Sequence, residues 1–131
     1  MIVLDTHTWI WWVSNPELLS ERAQKAIDDA IPDRNIYISC ISTWEIALLV
    51  AKDRLQFTTD TTDWIVKSEA LPFINFIPLN NTIALKSIHL TGSFHNDPAD
   101  RIIVATTLSM GATLVTKDDK IRDYPYVKTI W

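Results

Sequence analysis

Short apolar segments alternate with helical patterns along the whole chain, and this alternation restricts the fold more than any other feature. Segments rich in β-forming residues predict strands at residues 1–4, 36–39, 76–79, 112–116 and 126–130. The first has no polar alternation, as expected of a central strand covered on both faces. Since strands that alternate with helices form parallel sheets with helices on both faces, we predict a three-layer α/β/α fold with about four to five parallel strands.

Residues that favour helix starts precede the segments between these strands. They predict helices from Asp5 or Thr6 to about residue 14, over 20–29 and 42–52, from Asp60 or Thr62 to about residue 70, over 82–89, and from Asp97 to Gly111. Ser42 and Glu45 have the spacing of a capping box. Trp9, Trp12 and Val13 share one face of the first helix, for which packing in the core or against another subunit is favoured over stacking on a nucleotide.

Size and composition narrow the class of protein. The chain has 131 residues, which suits one core, so residues 1–131 are predicted to form one domain. Its net charge of −4 argues against a broad basic surface for nucleic acid, although an acidic site that holds cations can still bind a phosphate backbone. With only two glycines, the chain lacks the glycine-rich phosphate loops of nucleotide-binding folds.

The sequence also predicts a cytoplasmic location. No basic region precedes the first apolar run, and Asp5 interrupts that run, so we expect no secretion signal. The longest uncharged segments, 70–85 and 102–116, are broken by prolines, asparagines or a glycine, and neither is expected to span a membrane. Cys40 is the only cysteine, which excludes an internal disulfide and suits a reducing cytosol. We predict that Cys40 is buried.

Acidic residues occur where the predicted strands and helices meet. Asp5 follows the first strand, Glu45 lies near the start of the helix after the second, and Asp118 follows the fourth. Asp97 and Asp100 lie at the start of the helix that precedes the fourth strand. Because ligands of open α/β sheets bind beyond the carboxyl ends of the strands, these carboxylates are predicted to share one edge of the sheet.

Two interpretations of this acidic set remain open from the residues alone. The acids can be helix caps, since Asp97 suits an N-cap, Pro98 the first helical position and Asp100 the third. Alternatively they form a metal site, because carboxylates that share a cleft stay ionised together only when cations neutralise them. Oxygen ligands without cysteine or paired histidine select Mg²⁺ or Mn²⁺, and such a site supports phosphodiester hydrolysis by water.

Four segments carry a family resemblance. In chain order they are 4–7 (Leu-Asp-Thr-His), 39–45 (Ser-Cys-Ile-Ser-Thr-Trp-Glu), 97–101 (Asp-Pro-Ala-Asp-Arg) and 114–118 (Leu-Val-Thr-Lys-Asp). In sequence, order and spacing they resemble PIN-domain ribonucleases, and most closely the VapC-like toxins of toxin–antitoxin modules. The resemblance extends over essentially the whole chain and implies a PIN-like fold.

The resemblance implies roles for particular residues. Asp5, Glu45, Asp100 and Asp118 would form an acidic quartet that binds Mg²⁺ or Mn²⁺, with Asp5 and Asp100 as the direct ligands and Glu45 as a ligand or the group that orients the attacking water. Asp118 would act through water or at a second metal, and Thr116 would hydrogen-bond a member of the quartet. The implied activity is RNA cleavage, and the implied partners are a second copy of the chain and a small cognate antitoxin.

Other assignments remain open at this level. Asp119 is an alternative to Asp118, and Asp97 fits a cap or a role outside the direct ligands. Arg101 is expected to pair with an acid or to meet phosphate. Histidines 7, 89 and 95 lie in no ligand spacing, so a surface or hydrogen-bonded role is favoured for each. The alternatives to a nuclease are a phosphatase with Asp5 as nucleophile and a catalytically silent PIN-like scaffold that only binds a partner.

Overall fold

The computed structural model describes residues Met1–Trp131 and contains one sheet of five strands. The strands are β1 (Ile2–Leu4), β2 (Ile36–Ser39), β3 (Ile74–Ile77), β4 (Thr113–Val115) and β5 (Thr129–Ile130). Their order across the sheet is β3-β2-β1-β4-β5, and every neighbouring pair is parallel. The predicted parallel α/β fold is therefore confirmed.

Seven α-helices connect and cover these strands. They are α1 (Thr6–Ser14), α2 (Glu21–Ala30), α3 (Cys40–Ala51), α4 (Thr61–Glu69), α5 (Asn81–Ile88), α6 (Pro98–Met110) and α7 (Asp119–Arg122). A 3₁₀ helix, Pro16–Leu18, lies between α1 and α2. None of the helices has both the length and the hydropathy that a bilayer crossing requires.

Alternate residues of the central strand supply two separate cores, one on each face of the sheet. Ile2 and Leu4 belong to a cluster with residues of α1, α2, α3 and α4, whereas Val3 belongs to a cluster with residues of α5, α6 and α7. Because both faces of β1 are covered, its three residues are all buried. The two cores give the layered arrangement that the alternation of strands and helices predicts.

Three predicted elements have wrong boundaries. Helix α3 begins at Cys40 rather than Ser42, because Ser39 at the end of β2 accepts a hydrogen bond from the Ile41 N–H (3.2 Å) and caps the helix. The third strand begins two residues earlier than predicted and ends before Pro78, which has no N–H for a ladder. The last strand contains only Thr129–Ile130, and α7 was not predicted.

Three side chains can be compared with their predicted environments. Cys40 is exposed at the first position of α3, contrary to the prediction. Trp9 is fully buried and packs against Trp64 and Phe76, with ring centroids 5.0 Å and 5.4 Å away, so its predicted core packing is confirmed. Val13, predicted on the same face as Trp9, is 40% exposed.

The parallel topology determines where a site can form. Strands β1, β2 and β4 end at one edge, and α1 and α3 begin directly after two of these ends. Helix N-termini carry unpaired N–H groups and partial positive charge, so carboxylates are favoured there. The edge beyond these strand ends therefore combines backbone donors with the acidic residues of the sequence.

Candidate metal centre

Asp5 is held at the end of β1 by hydrogen bonds to both carboxylate oxygens. Its Oδ1 accepts from the Thr6 N–H (2.8 Å) and caps α1, while its Oδ2 accepts from the Thr116 hydroxyl (2.6 Å). His7 Nδ1 lies 3.5 Å from the same Oδ2. Only 3% of Asp5 is exposed, so its orientation is fixed. The hydrogen bond expected between Thr116 and an acid of the quartet is confirmed.

Glu45 lies one turn inside α3 and is free of any capping role. The predicted capping box is wrong, because Ser39 caps the helix and Ser42 instead accepts a hydrogen bond from the Thr6 hydroxyl (2.8 Å). Burial raises the pKa of Glu45, the nearby Thr6 hydroxyl opposes this change, and the charges of Asp5, Asp97 and Asp118 raise it further. Glu45 therefore carries its charge at an energetic cost.

Asp97 and Asp100 open α6 in the predicted way. Asp97 Oδ1 accepts from the Asp100 N–H (2.9 Å), and Pro98 occupies the first helical position. At the other end, Gly111 is in the left-handed region with φ 62°, as its predicted position after the helix requires. The cap uses one oxygen of Asp97 and only the backbone of Asp100, so both side chains retain oxygen atoms for other contacts.

The Asp100 side chain points to His95, whose Nε2 lies 2.7 Å from Asp100 Oδ2. The pKa of Asp100 is raised from 3.8 to about 7, mainly by burial. The hydrogen bond to His95 lowers it, and the charges of Asp5, Asp97 and Asp118 raise it. A carboxylate so destabilised by its neighbours is a group that a cation would stabilise.

Asp118 and Asp119 have different positions. Asp118 caps the short α7 by accepting from the Lys120 N–H (2.8 Å), and its own N–H donates to the Thr116 hydroxyl (3.0 Å). Thr116 thus links Asp118 to Asp5. The Asp119 side chain is 90% exposed, at the outer side of the same turn.

All four predicted site residues line one cavity of about 270 Å³, which we call the acidic cavity. Its walls are formed by Asp5, Thr6, His7, Ile10, Glu45, Leu49, Asp97, Asp100 and Asp118. Glu45, Asp97 and Asp100 form its tightest group, since each offers a carboxylate oxygen within 4.8 Å of the others. Asp97 thus lies with the site acids as well as capping α6, whereas Asp5 and Asp118 lie on the wall outside that group.

Arg101 does not form the predicted ion pair with an acid. It donates instead to the backbone carbonyls of Ser87 (2.8 Å), Phe94 (2.9 Å) and His95 (3.1 Å). These bonds tie α6 to the loop before it, because a guanidinium offers several donors in a fixed plane. Arg101 therefore holds the segment that carries His95.

The hydrogen-bonded role predicted for His7 and His95 is confirmed, but their position beside the site acids was not predicted. His95 lies in an irregular loop, where hydrophobic periodicity does not predict the direction of a side chain. Its position two residues before the N-cap Asp97 is the sequence feature that places it near the site acids. His7 Nε2 accepts from the Lys117 N–H (3.0 Å), so the ring proton lies on Nδ1, the atom nearest Asp5. His89 bonds the Leu85 carbonyl (3.0 Å) and is exposed, which agrees with the expected surface role.

The donor set of the acidic cavity fits a hard divalent cation. Its group of nearby ligand atoms consists of carboxylate oxygens, with neither cysteine nor histidine among them. Mg²⁺ and Mn²⁺ prefer such ligands, and a bound cation would offset both the burial and the mutual repulsion that raise the pKa of Glu45 and Asp100. Fold and site together define a parallel α/β protein with a carboxylate cavity at the carboxyl ends of its strands.

The chain belongs to the PIN-domain family, whose model matches residues 2–126. It is similar to ribonuclease VapC22 of Mycobacterium tuberculosis (strain ATCC 25618 / H37Rv), with 32% identity over 99% of this chain and 98% of that protein. This membership was predicted from the four acidic segments and is confirmed.

Solved structures support the same fold. VapBC2 from Rickettsia felis bound to a DNA fragment from its promoter has a TM-score of 0.72 and 17% identity, covering 98% of this chain and 97% of the other. A toxin–antitoxin complex from Klebsiella pneumoniae has a TM-score of 0.65 and 22% identity, covering 97% of this chain and 95% of the other. The likeness therefore extends over nearly the whole length of each chain.

Proposed function

We propose that this chain is a metal-dependent endoribonuclease that hydrolyses RNA phosphodiester bonds, with Asp5, Glu45, Asp100 and Asp118 as the site residues. The observation that carries the proposal is the acidic cavity, where carboxylates from distant parts of the chain meet at the carboxyl ends of the strands. A similar PIN-domain protein, 32% identical, is a ribonuclease. Mg²⁺ or Mn²⁺ bound there would activate a water molecule for attack on the phosphodiester.

Each acid has a distinct part in this proposal. Each carboxylate oxygen of Asp5 accepts one hydrogen bond. These bonds fix the direction of the side chain, and each oxygen keeps a lone pair for a cation. Asp100 is the second direct ligand, and Glu45 ligates or orients the attacking water. Asp118 acts through water or at a second metal. The burial of Asp5 and its two hydrogen bonds favour a ligand over the nucleophile that a phosphatase would need.

The biological setting is part of the same proposal. We infer that residues 1–131 act as one nuclease domain, that the protein is a cytoplasmic toxin and homodimer, and that a small cognate antitoxin neutralises it. Similar folds occur in a toxin–antitoxin complex and in VapBC2 bound to promoter DNA. A lone exposed cysteine suits a reducing compartment.

Cleavage of RNA that depends on divalent cations is the first test. Purified protein is incubated with structured RNA in Mg²⁺, in Mn²⁺ and in EDTA, and the products are separated on a denaturing gel. We expect cleavage with either cation and none in EDTA, because the proposed nucleophile is water activated by the bound cation. Equal cleavage in EDTA would refute the metal-dependent mechanism, and an acyl-phosphate trapped on Asp5 would instead indicate a phosphatase.

Replacement of His95 tests its contact with Asp100. His95→Ala removes the hydrogen bond to Asp100 Oδ2 and is expected to lower cleavage about 10–100-fold, the usual effect of losing a group that orients a metal ligand. His95→Gln, whose amide can still donate, should recover part of the activity. Titration with Mn²⁺ should show weaker binding for His95→Ala. Unchanged metal affinity in that variant would mean that His95 does not position Asp100.

A further inference from the structure

A second cavity adjoins the acidic cavity on its outer side. This outer cavity has a volume of about 630 Å³ and is lined by His7, Trp11, His95, Asp97, Asp100, Lys117, Asp118, Asp119 and Lys120. Four residues, His7, Asp97, Asp100 and Asp118, line both cavities, so a ligand can extend from one into the other. Its size is within the range of small-molecule sites, but it has only one hydrophobic residue, Trp11.

Aromatic rings form one wall of the outer cavity. The Trp11 ring lies 4.9 Å from the ring of His7 and 5.8 Å from that of Trp131. The Lys117 backbone N–H bonds His7 Nε2 and so attaches the segment after β4 to α1. Trp11 is only partly buried, unlike Trp9, which supplies the core from the same helix. The Trp11 indole is therefore a supported platform at the cavity rather than a core residue.

Two lysines lie in the same cavity, in an otherwise acidic part of the molecule. Lys117 Nζ is 5.7 Å from the centre of the Trp11 ring, and Lys120, in α7, lines the same cavity. The cation–π contact keeps the Lys117 ammonium beside the aromatic wall. The outer cavity thus offers an aromatic platform, two positive charges and a shared border with the acidic cavity.

We propose that the outer cavity binds the nucleotide next to the bond that is cut, with its base against Trp11 and its phosphate at Lys117 and Lys120. This inference rests on the proposed ribonuclease function and specifies how that site would hold single-stranded RNA. Aromatic stacking plus lysine contacts is the combination that binds single-stranded nucleic acid, and stacking accepts any base. Lys117 leaves the ring face for the phosphate when the base stacks. A lining that is almost wholly polar does not suit an apolar peptide.

Binding without cleavage separates this subsite from the catalytic site. A fluorescent oligoribonucleotide with a mapped cleavage position is titrated with protein in EDTA and in Ca²⁺, and an otherwise identical oligoribonucleotide lacks the base next to the cut. We expect Trp11→Leu to weaken binding about tenfold and Trp11→Phe to retain most of it, since stacking of one base commonly has an effect of this size. The missing base should weaken wild-type binding similarly and Trp11→Leu hardly at all.

The lysines and matched controls complete the test. Lys117→Gln should weaken binding to every RNA and reduce the salt dependence by about one counterion. Trp44→Leu and Lys67→Gln, which change exposed residues outside both cavities, should bind like wild type. Thermal unfolding of each variant identifies any that fail to fold. If Trp11→Leu fails to fold, the comparison of intact and base-deleted RNA on wild type tests the subsite, and equal affinity for the two RNAs would contradict it.

The outcomes distinguish the two proposals. If wild type cleaves RNA but Trp11→Leu binds as tightly, or if the penalties of Trp11→Leu and of the missing base simply add, the subsite is wrong and the nuclease proposal stands. If wild type neither binds nor cleaves any RNA in the presence of Mg²⁺ or Mn²⁺, both proposals fail. If wild type cleaves RNA and the missing base weakens binding by wild type but hardly by Trp11→Leu, both proposals are supported.

Discussion

Asp100→Asn is expected to reduce RNA cleavage about 1,000-fold, because a metal contributes several kcal/mol to such a reaction and each 1.4 kcal/mol is a factor of ten. The substitution keeps the shape of the side chain and removes its charge from the group formed with Glu45 and Asp97. It also leaves the α6 cap in place, since Asp97 binds the backbone N–H at position 100 rather than the side chain. Initial rates at saturating Mn²⁺ measure the effect.

The control for this substitution is Asp33→Asn, which removes one charge from an exposed turn outside the acidic cavity. It should cleave RNA at the wild-type rate. If Asp100→Asn kept more than about a tenth of the activity, a principal ligand role for Asp100 would be contradicted. Asp97→Ser gives a further comparison, because serine can still cap α6 but offers no carboxylate. Loss of activity in that variant would show that Asp97 contributes to the metal site.

Without divalent cations, the folded protein is expected to lose stability as the pH rises from about 4 to about 7. Asp100 has a pKa of about 7 in the folded chain against an ordinary value of 3.8, so the folded state binds the proton more tightly than the unfolded state. The stabilisation is fully present below the lower value and is lost as the pH passes the higher one. The loss should be on the order of 2–4 kcal/mol, and Glu45 acts in the same direction.

Urea unfolding between pH 4 and pH 8 measures this dependence. Asp100→Asn should flatten the curve and should be more stable than wild type at pH 7 without metal, because it removes one of the repelling charges. Mg²⁺ or Mn²⁺ should raise the stability of wild type at pH 7, since a ligand that binds only the folded state stabilises it. If the unfolding free energy of wild type in EDTA rose between pH 4 and pH 7, the raised pKa of Asp100 in the acidic cavity would be contradicted.

The sequence predicts the fold well because its signals are local and agree with each other. The charge-free strand at residues 1–4 and the capped helix that begins at Asp97 each have one reasonable interpretation. Where two residues compete for one role, the prediction is wrong: both Ser39 and Ser42 can cap a helix, and only the direct passage from β2 into α3 selects Ser39. The third strand differs for another reason: it ends before Pro78, which has no N–H for the ladder.

The site was less predictable than the fold. Strand order and helix starts are enough to bring Asp5, Glu45, Asp100 and Asp118 to one edge, and all four line the acidic cavity. Contacts made by irregular segments cannot be predicted from strand order and helix starts. The contact between His95 and Asp100 depends on a loop held by Arg101. The N-cap position of Asp97 does not by itself predict that its carboxylate lies beside those of Glu45 and Asp100.

The link between Asp5 and Thr116 makes the site dependent on contacts between segments that are distant in the sequence. Strand β1 pairs with β4, and the residue that follows β4 supplies a donor to Asp5. Until β4 has paired, Asp5 lacks one of its two donors and Asp118 has no defined position. A chain that ends before β4 therefore lacks both Asp118 and the Thr116 donor to Asp5, so it cannot assemble the acidic cavity.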